Sequence, residues 1–187
     1  MLKCPDYSSP ATVASLDLVS FSGYRTYHPE TTHPMSQSNN SEIIAALQTA
    51  YAMELETVQN YIAASVNLDG VRSDVIKKAL AADITEELTH SQTLANRIKT
   101  IGGRVPGSFD LARSQEHLQP LEDSTDIVGV IKGVIEAENC AIAQYNKIIK
   151  LCDGVDYVTQ DMAIGLLSGE EDHRREFIGF LKEYEKA

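Results

Sequence analysis

Two copies of one short motif stand out in this chain of 187 residues. In each copy a histidine follows a glutamate three residues later, at Glu87–His90 and at Glu170–His173. A spacing of three residues places both side chains on one face of a helix, so both can reach the same cation. Glu170 follows Glu87 by 83 residues. The chain therefore repeats a pair of donors that suits metal binding.

A second repeated pair precedes each of these motifs. A tyrosine follows a glutamate seven residues later, at Glu54–Tyr61 and at Glu138–Tyr145. Each tyrosine lies two helical turns beyond its glutamate, on the same side of a helix. The tyrosines are either core aromatics with a hydrogen-bonded hydroxyl, or hydrogen-bond donors and electron sources for a metal site. Both interpretations stay open at this point.

The repeated pattern supplies four carboxylates and two imidazoles, which is a donor set that binds two metal ions inside a helix bundle. Buried carboxylates without a partner are costly or take up protons, whereas two divalent cations offset four negative charges. Donors without thiolate suit iron or manganese, and zinc is an alternative. The predicted metal ligands are Glu54, Glu87, His90, Glu138, Glu170 and His173.

Four helices must bring these ligands to one level of a bundle. The apolar periodicity predicts helices over about 41–67, 73–102, 125–152 and 157–185, and every proposed ligand falls on an apolar stripe. Asp83 lies one turn before Glu87 and either supports the metal site or caps a polar pocket. The acidic neighbours off the stripes are predicted to be solvated: Glu56, Glu136, Glu171 and Asp172.

The connection between the second and third helices is long and irregular. At up to about 3.3 Å per residue, its roughly 22 residues can span a helix of about 42 Å, which lets these two helices run parallel. The other two connections are short and require antiparallel neighbours. The first 34 residues lack helical periodicity, so we predict a disordered or extension segment over 1–40, with Met35 as an alternative start, and a bundle over 41–187.

Composition excludes some classes of function. The net charge of −11 opposes general binding to nucleic acid or to an anionic membrane. No run approaches the 18 apolar residues of a membrane span. Three cysteines, at positions 4, 140 and 152, suit a reducing compartment, so we expect a cytoplasmic protein.

Over about 41–186 the chain resembles the ferritin-like superfamily, and within it the bacterioferritins and the Dps-like proteins called thioferritins. The resemblance lies in ELETVQNY from Glu54, ELTH from Glu87, EAENCAI from Glu136, and DYVTQD from Asp156 with the later EEDH. It implies an all-α, ferritin-like four-helix bundle with one long crossover. It also implies that the six predicted ligands form a ferroxidase centre for two iron ions, with Glu87 and Glu170 bridging.

The resemblance implies oxidation of Fe(II) by dioxygen or hydrogen peroxide, for iron storage and protection against oxidative stress. Leu88 stands where bacterioferritins have the haem-binding methionine, so no haem is expected. The chain ends after its fourth helix, so no fifth helix is expected, and a homo-oligomeric cage of 12 subunits is favoured over a dimer. No DNA binding is expected, because residues 1–34 carry a net charge of about −1. The alternatives are a rubrerythrin-like peroxidase, a manganese catalase or a non-catalytic metal-binding bundle.

Overall fold

The protein folds into four long helices in a computed structural model that describes residues 37–186. The helices are α1 (Gln37–Asn67), α2 (Ser73–Thr100), α3 (Ile127–Cys152) and α4 (Tyr157–Tyr184). No strand occurs in this range, which confirms the all-α prediction. The predicted extension lies outside the described residues up to position 36, and residues 37–40 are helical. None of these helices is both long and apolar enough to cross a membrane.

Aspartates and glycines set the limits of the helices. Asp126 precedes α3 and its carboxylate accepts a hydrogen bond from the Gly129 backbone N–H at 2.8 Å. Asp156 precedes α4 and accepts one from the Thr159 N–H at 3.0 Å. Such caps satisfy donors that the first helical turn leaves free. Gly154, in the turn between these helices, has a φ of 68°, which glycine adopts without strain.

Two apolar layers lie at opposite ends of the bundle and determine its topology. One layer joins the start of α1 to the end of α2, the end of α3 and the start of α4. The other joins the end of α1 to the start of α2, the start of α3 and the end of α4. The second and third helices therefore run parallel, as predicted, and the proposed ligands occupy the level between the layers.

The crossover between α2 and α3 is anchored to the outer face of α1. It contains two short 3₁₀ turns, Ser108–Asp110 and Glu116–Leu118. The Glu56 carboxylate accepts hydrogen bonds from the backbone N–H of Ser114 at 2.9 and 3.0 Å, and of Gln115 at 3.1 Å. Glu56 is buried, so the prediction that it is solvated is wrong. Its position off the inner stripe faces the crossover rather than water.

The other three acidic residues predicted to be solvated are exposed or half-buried. Glu171 and Asp172 are exposed, as predicted, whereas Glu136 is half-buried. None of the three lies on the inner stripe of its helix, where Glu138 and Glu170 are almost completely buried. The sequence pattern therefore separated the inner acids from the outer ones on α3 and α4.

Replacing Gly133 with alanine should destabilise the fold, because the crossover passes directly over this residue of α3. An added Cβ would lie 2.6 Å from the His117 carbonyl oxygen, so the crossover would have to move. We expect a loss of about 1–3 kcal/mol in the free energy of unfolding, measured by denaturant titration. The matched control is Gly165→Ala in α4, where nothing lies within 4 Å and a gain of about 0.5–1 kcal/mol is expected. Equal effects of the two substitutions would contradict this packing.

Candidate metal centre

The six predicted ligands converge between the two apolar layers. The four glutamates are at most 2% exposed. His173 is buried as well, at 5% exposure, and the His90 side chain is 12% exposed. One glutamate comes from each of the four helices, and the histidines come from α2 and α4. The structure therefore brings together every side chain that the repeated pattern singled out.

The ligand atoms form two overlapping groups, within each of which all atoms lie within 4.8 Å of one another. One group consists of Glu54, Glu87, His90 and Glu170, and the other of Glu87, Glu138, Glu170 and His173. Glu87 and Glu170 belong to both groups. Each group adds one further glutamate and one histidine. Two cation positions that share two carboxylates would produce this arrangement.

Both imidazoles present Nδ1 to the shared pair of carboxylates. His90 Nδ1 lies 3.0 Å from Glu87 Oε2 and 2.9 Å from Glu170 Oε1. His173 Nδ1 lies 3.3 Å from Glu87 Oε1 and 3.9 Å from Glu170 Oε2. Glu170 Oε2 is buried and has no hydrogen-bond partner among the described residues. A buried carboxylate oxygen normally finds a partner, so this free acceptor fits a metal cation.

Each of the two predicted tyrosines donates a hydrogen bond to the glutamate of the other Glu–Tyr pair, not to the glutamate of its own pair. Tyr61 on α1 donates a hydrogen bond from its hydroxyl to Glu138 Oε1 on α3. Tyr145 on α3 donates one to Glu54 Oε1 on α1. Burial and the nearby carboxylates raise the pKa of both tyrosine hydroxyls well above the usual value, so both remain protonated donors. Each hydroxyl therefore fixes the glutamate of the opposite half-site.

Two further acidic residues of α2, Glu86 and Asp83, lie beside His173. The sequence pattern did not indicate Glu86. Glu86 Oε2 lies 3.1 Å from His173 Nε2, although the Glu86 side chain is 58% exposed. Asp83 Oδ1 lies 3.9 Å from the same nitrogen, and Asp83 is buried. Of the two alternatives for Asp83, the structure therefore favours a place beside the predicted ligands. The only sequence signal for Glu86 was its position next to Glu87.

Comparison with known proteins identifies the family. A sequence profile of the ferritin-like domain matches residues 44–187. The chain belongs to the ferritin-like domain family. A relative from Pyrococcus furiosus, named DNA protection during starvation protein, is 29% identical over 140 residues, which cover 73% of this chain and 75% of the relative.

Solved structures confirm the ferritin-like fold. A thioferritin from Bacteroides fragilis, described as dodecameric and bacterioferritin-related, superposes with a TM-score of 0.72 at 25% identity. The match covers 79% of this chain and 88% of the thioferritin chain. A ferritin-like diiron-carboxylate protein from Bacillus anthracis matches with a TM-score of 0.68 at 20% identity, over 81% of this chain and 99% of that chain. The predicted resemblance is therefore confirmed.

Within this ferritin-like bundle, the carboxylates share protons unequally. Burial raises the pKa of Glu54 and of Glu170 well above the usual value, and neighbouring carboxylates raise them further. Burial raises the pKa of Glu138 to about 7. Burial also disfavours the charge of Glu87, but hydrogen bonds from the two histidines outweigh it and lower its pKa to about 2. Cation binding therefore competes with protons at the other three carboxyl groups.

His173 holds its proton more tightly than an exposed histidine does. Burial alone would lower the pKa of His173, but its hydrogen bond to Glu87 and the charges of nearby carboxylates raise it to about 10. A protonated His173 next to an ionised Glu87 partly balances the charge of the metal-free cluster. A cation at this position would take the place of the His173 Nδ1 proton.

Proposed function

We propose that this ferritin-like protein is a ferroxidase that oxidises Fe(II) at a centre for two iron ions, with dioxygen or hydrogen peroxide as the oxidant. The observation that carries the proposal is the pair of overlapping ligand groups that share Glu87 and Glu170. Glu54 and His90 would complete one iron position, and Glu138 and His173 the other. Iron storage and protection against oxidative stress would follow from removal of Fe(II) and oxidant together.

The residues of the centre suit such a reaction. Two Fe(II) ions supply two electrons to the oxidant when both positions are filled. Carboxylates are hard ligands that bind both ferrous and ferric iron, and four of them offset the charge of two divalent ions. Tyr61 and Tyr145 hold the two terminal carboxylates, Glu138 and Glu54, through hydrogen bonds. Manganese and zinc remain alternatives, since the same donors bind them.

We also propose a homo-oligomeric cage of 12 subunits, as described for the Bacteroides fragilis thioferritin. Large apolar side chains that are more than half exposed support an interface with further copies: Val66, Val71, Val75, Phe109, Tyr157 and Val158. Light scattering coupled to size exclusion should give about twelve times the mass of one chain, whereas twice that mass would support a dimer. The net charge of −11 supports a protein that does not bind DNA. The cytoplasmic location of the present protein stays a prediction.

Rapid mixing tests the proposed reaction. Apoprotein loaded without oxygen with about two Fe(II) per chain should develop ferric absorbance on mixing with dioxygen or peroxide, at least about 100-fold faster than iron in buffer. A comparison of the two oxidants identifies the preferred one. Rapid dioxygen evolution from peroxide by the manganese-loaded protein would instead support a catalase. Turnover of peroxide only with an added electron donor would support a rubrerythrin-like peroxidase. Binding without oxidation would support a non-catalytic bundle.

A further inference from the structure

The two halves of the repeat differ beside their histidines. The offset of 83 residues that relates Glu87 to Glu170 places Gly169 opposite Glu86 and Leu166 opposite Asp83. One half-site therefore has two additional carboxylates where the other half-site has none.

The structure shows what this difference does to the two imidazoles. His173 Nε2 faces the Glu86 carboxylate at 3.1 Å and the Asp83 carboxylate at 3.9 Å. Among residues 39–186, no carboxylate lies within 4.0 Å of His90 Nε2. Gly169 occupies the space there, since an added Cβ would lie 3.4 Å from His90 Nε2 and 3.2 Å from its Cε1. A side chain at position 169 would therefore have to shift the His90 ring by a few tenths of an ångström, and the glycine supplies no carboxylate.

A carboxylate on the remote nitrogen of a histidine affects its binding to metal. It accepts the Nε2 hydrogen, which fixes the tautomer that leaves Nδ1 free, and it makes Nδ1 a stronger donor. Such a partner typically contributes about 10- to 100-fold in metal affinity. Asp83 adds a second acid on the same side, and its Oδ2 is buried without a hydrogen-bond partner among the described residues.

We propose that Glu86 is a positioning residue that makes the two metal positions unequal. By holding His173 through Nε2, it strengthens the position formed with Glu138, so that this position fills first. The position formed by Glu54 and His90 then fills second and more weakly. The inference rests on the proposed two-metal centre, and it goes further by assigning an order of filling.

Calorimetric titration of the full-length apoprotein with Co(II), a divalent probe that dioxygen does not oxidise readily, tests this order. The wild-type protein should bind Co(II) in two resolved steps. In Glu86→Gln the tighter step should weaken by about 10-fold, while the weaker step changes by less than about 2-fold. The control is Glu171→Gln, which removes the same charge from an exposed residue next to Glu170 and should leave both steps unchanged.

A double substitution shows whether Glu86 acts through the histidine. With His173→Gln already present, Glu86→Gln should have no further effect on the remaining step, because no imidazole is left to orient. Equal weakening of both wild-type steps, or no change in either, would overturn the role of Glu86 and leave the two-metal centre standing. A wild-type protein that binds no Co(II), Fe(II) or Zn(II) would overturn the centre itself.

Discussion

Replacing both Glu87 and Glu170 with glutamine should abolish rapid Fe(II) oxidation while the helices remain intact. These two residues belong to both ligand groups, so the double substitution removes two charged ligands from each metal position. We expect the oxidation rate to fall by at least about 100-fold, because residues that only hydrogen-bond to metal ligands already contribute about 10- to 100-fold in affinity. Stopped-flow ferric absorbance measures the rate, and far-UV circular dichroism measures the helix content.

The stability of this variant provides a second readout. Fe(II) added without oxygen should raise the melting temperature of the wild-type protein, because the ion binds only the folded state. That increase should disappear in the double variant. Glu171→Gln, an exposed neighbour of Glu170, should retain both the rate and the increase. An unchanged oxidation rate in the double variant would contradict the assignment of Glu87 and Glu170 as shared ligands.

Lowering the pH from about 8 to about 6 should weaken metal binding steeply. The pKa of Glu138 is raised to about 7, and those of Glu54 and Glu170 are raised well above the usual value, all mainly by burial. Each proton that a metal ion displaces makes its binding about 10-fold weaker per pH unit of acidification. Titration with Zn(II) at several pH values measures this dependence.

The stability of the metal-free protein should change in the opposite direction. The pKa of Glu138 is higher in the folded state than its ordinary value of 4.5, so the unfolded state loses this proton first as the pH rises. Its contribution is fully present below about pH 4.5 and is lost as the pH rises through about 7. Raising the pH should thus lower the melting temperature of the apoprotein through this group. The rise in melting temperature that added metal causes should become larger over the same pH range. A metal-induced rise in melting temperature that is independent of pH would contradict proton displacement.

The inner face of the bundle was largely predictable because ligands and apolar residues share one helical period. On α3 the apolar stripe that contains Glu138 follows spacings of three and four residues from Ile131 to Cys152, and all of its positions are buried. On α1 the corresponding stripe through Glu54 includes Ile44 and Tyr51, which are only half-buried. This helix buries a second face beneath the crossover, and a search for one stripe does not detect a second.

The contacts between helices could not be predicted in the same way. The hydroxyl of Tyr61 donates its hydrogen bond to Glu138 on α3, and not to Glu54, the glutamate with which it is paired in the sequence motif on α1. Glu86 looks like an ordinary exposed residue of α2 until α4 brings His173 within 3.1 Å of it. The spacing of residues along one helix determines which face a side chain occupies, whereas the partner depends on the packing of the next helix.

Anomalous diffraction at the iron absorption edge, from crystals loaded with Fe(II) without oxygen, tests the central claim most directly. We predict two iron peaks in each chain, and both should contact Glu87 and Glu170. One peak should also contact Glu54 and the other Glu138, with one histidine at each. A single peak, or iron bound only outside this cluster, would contradict the two-iron centre.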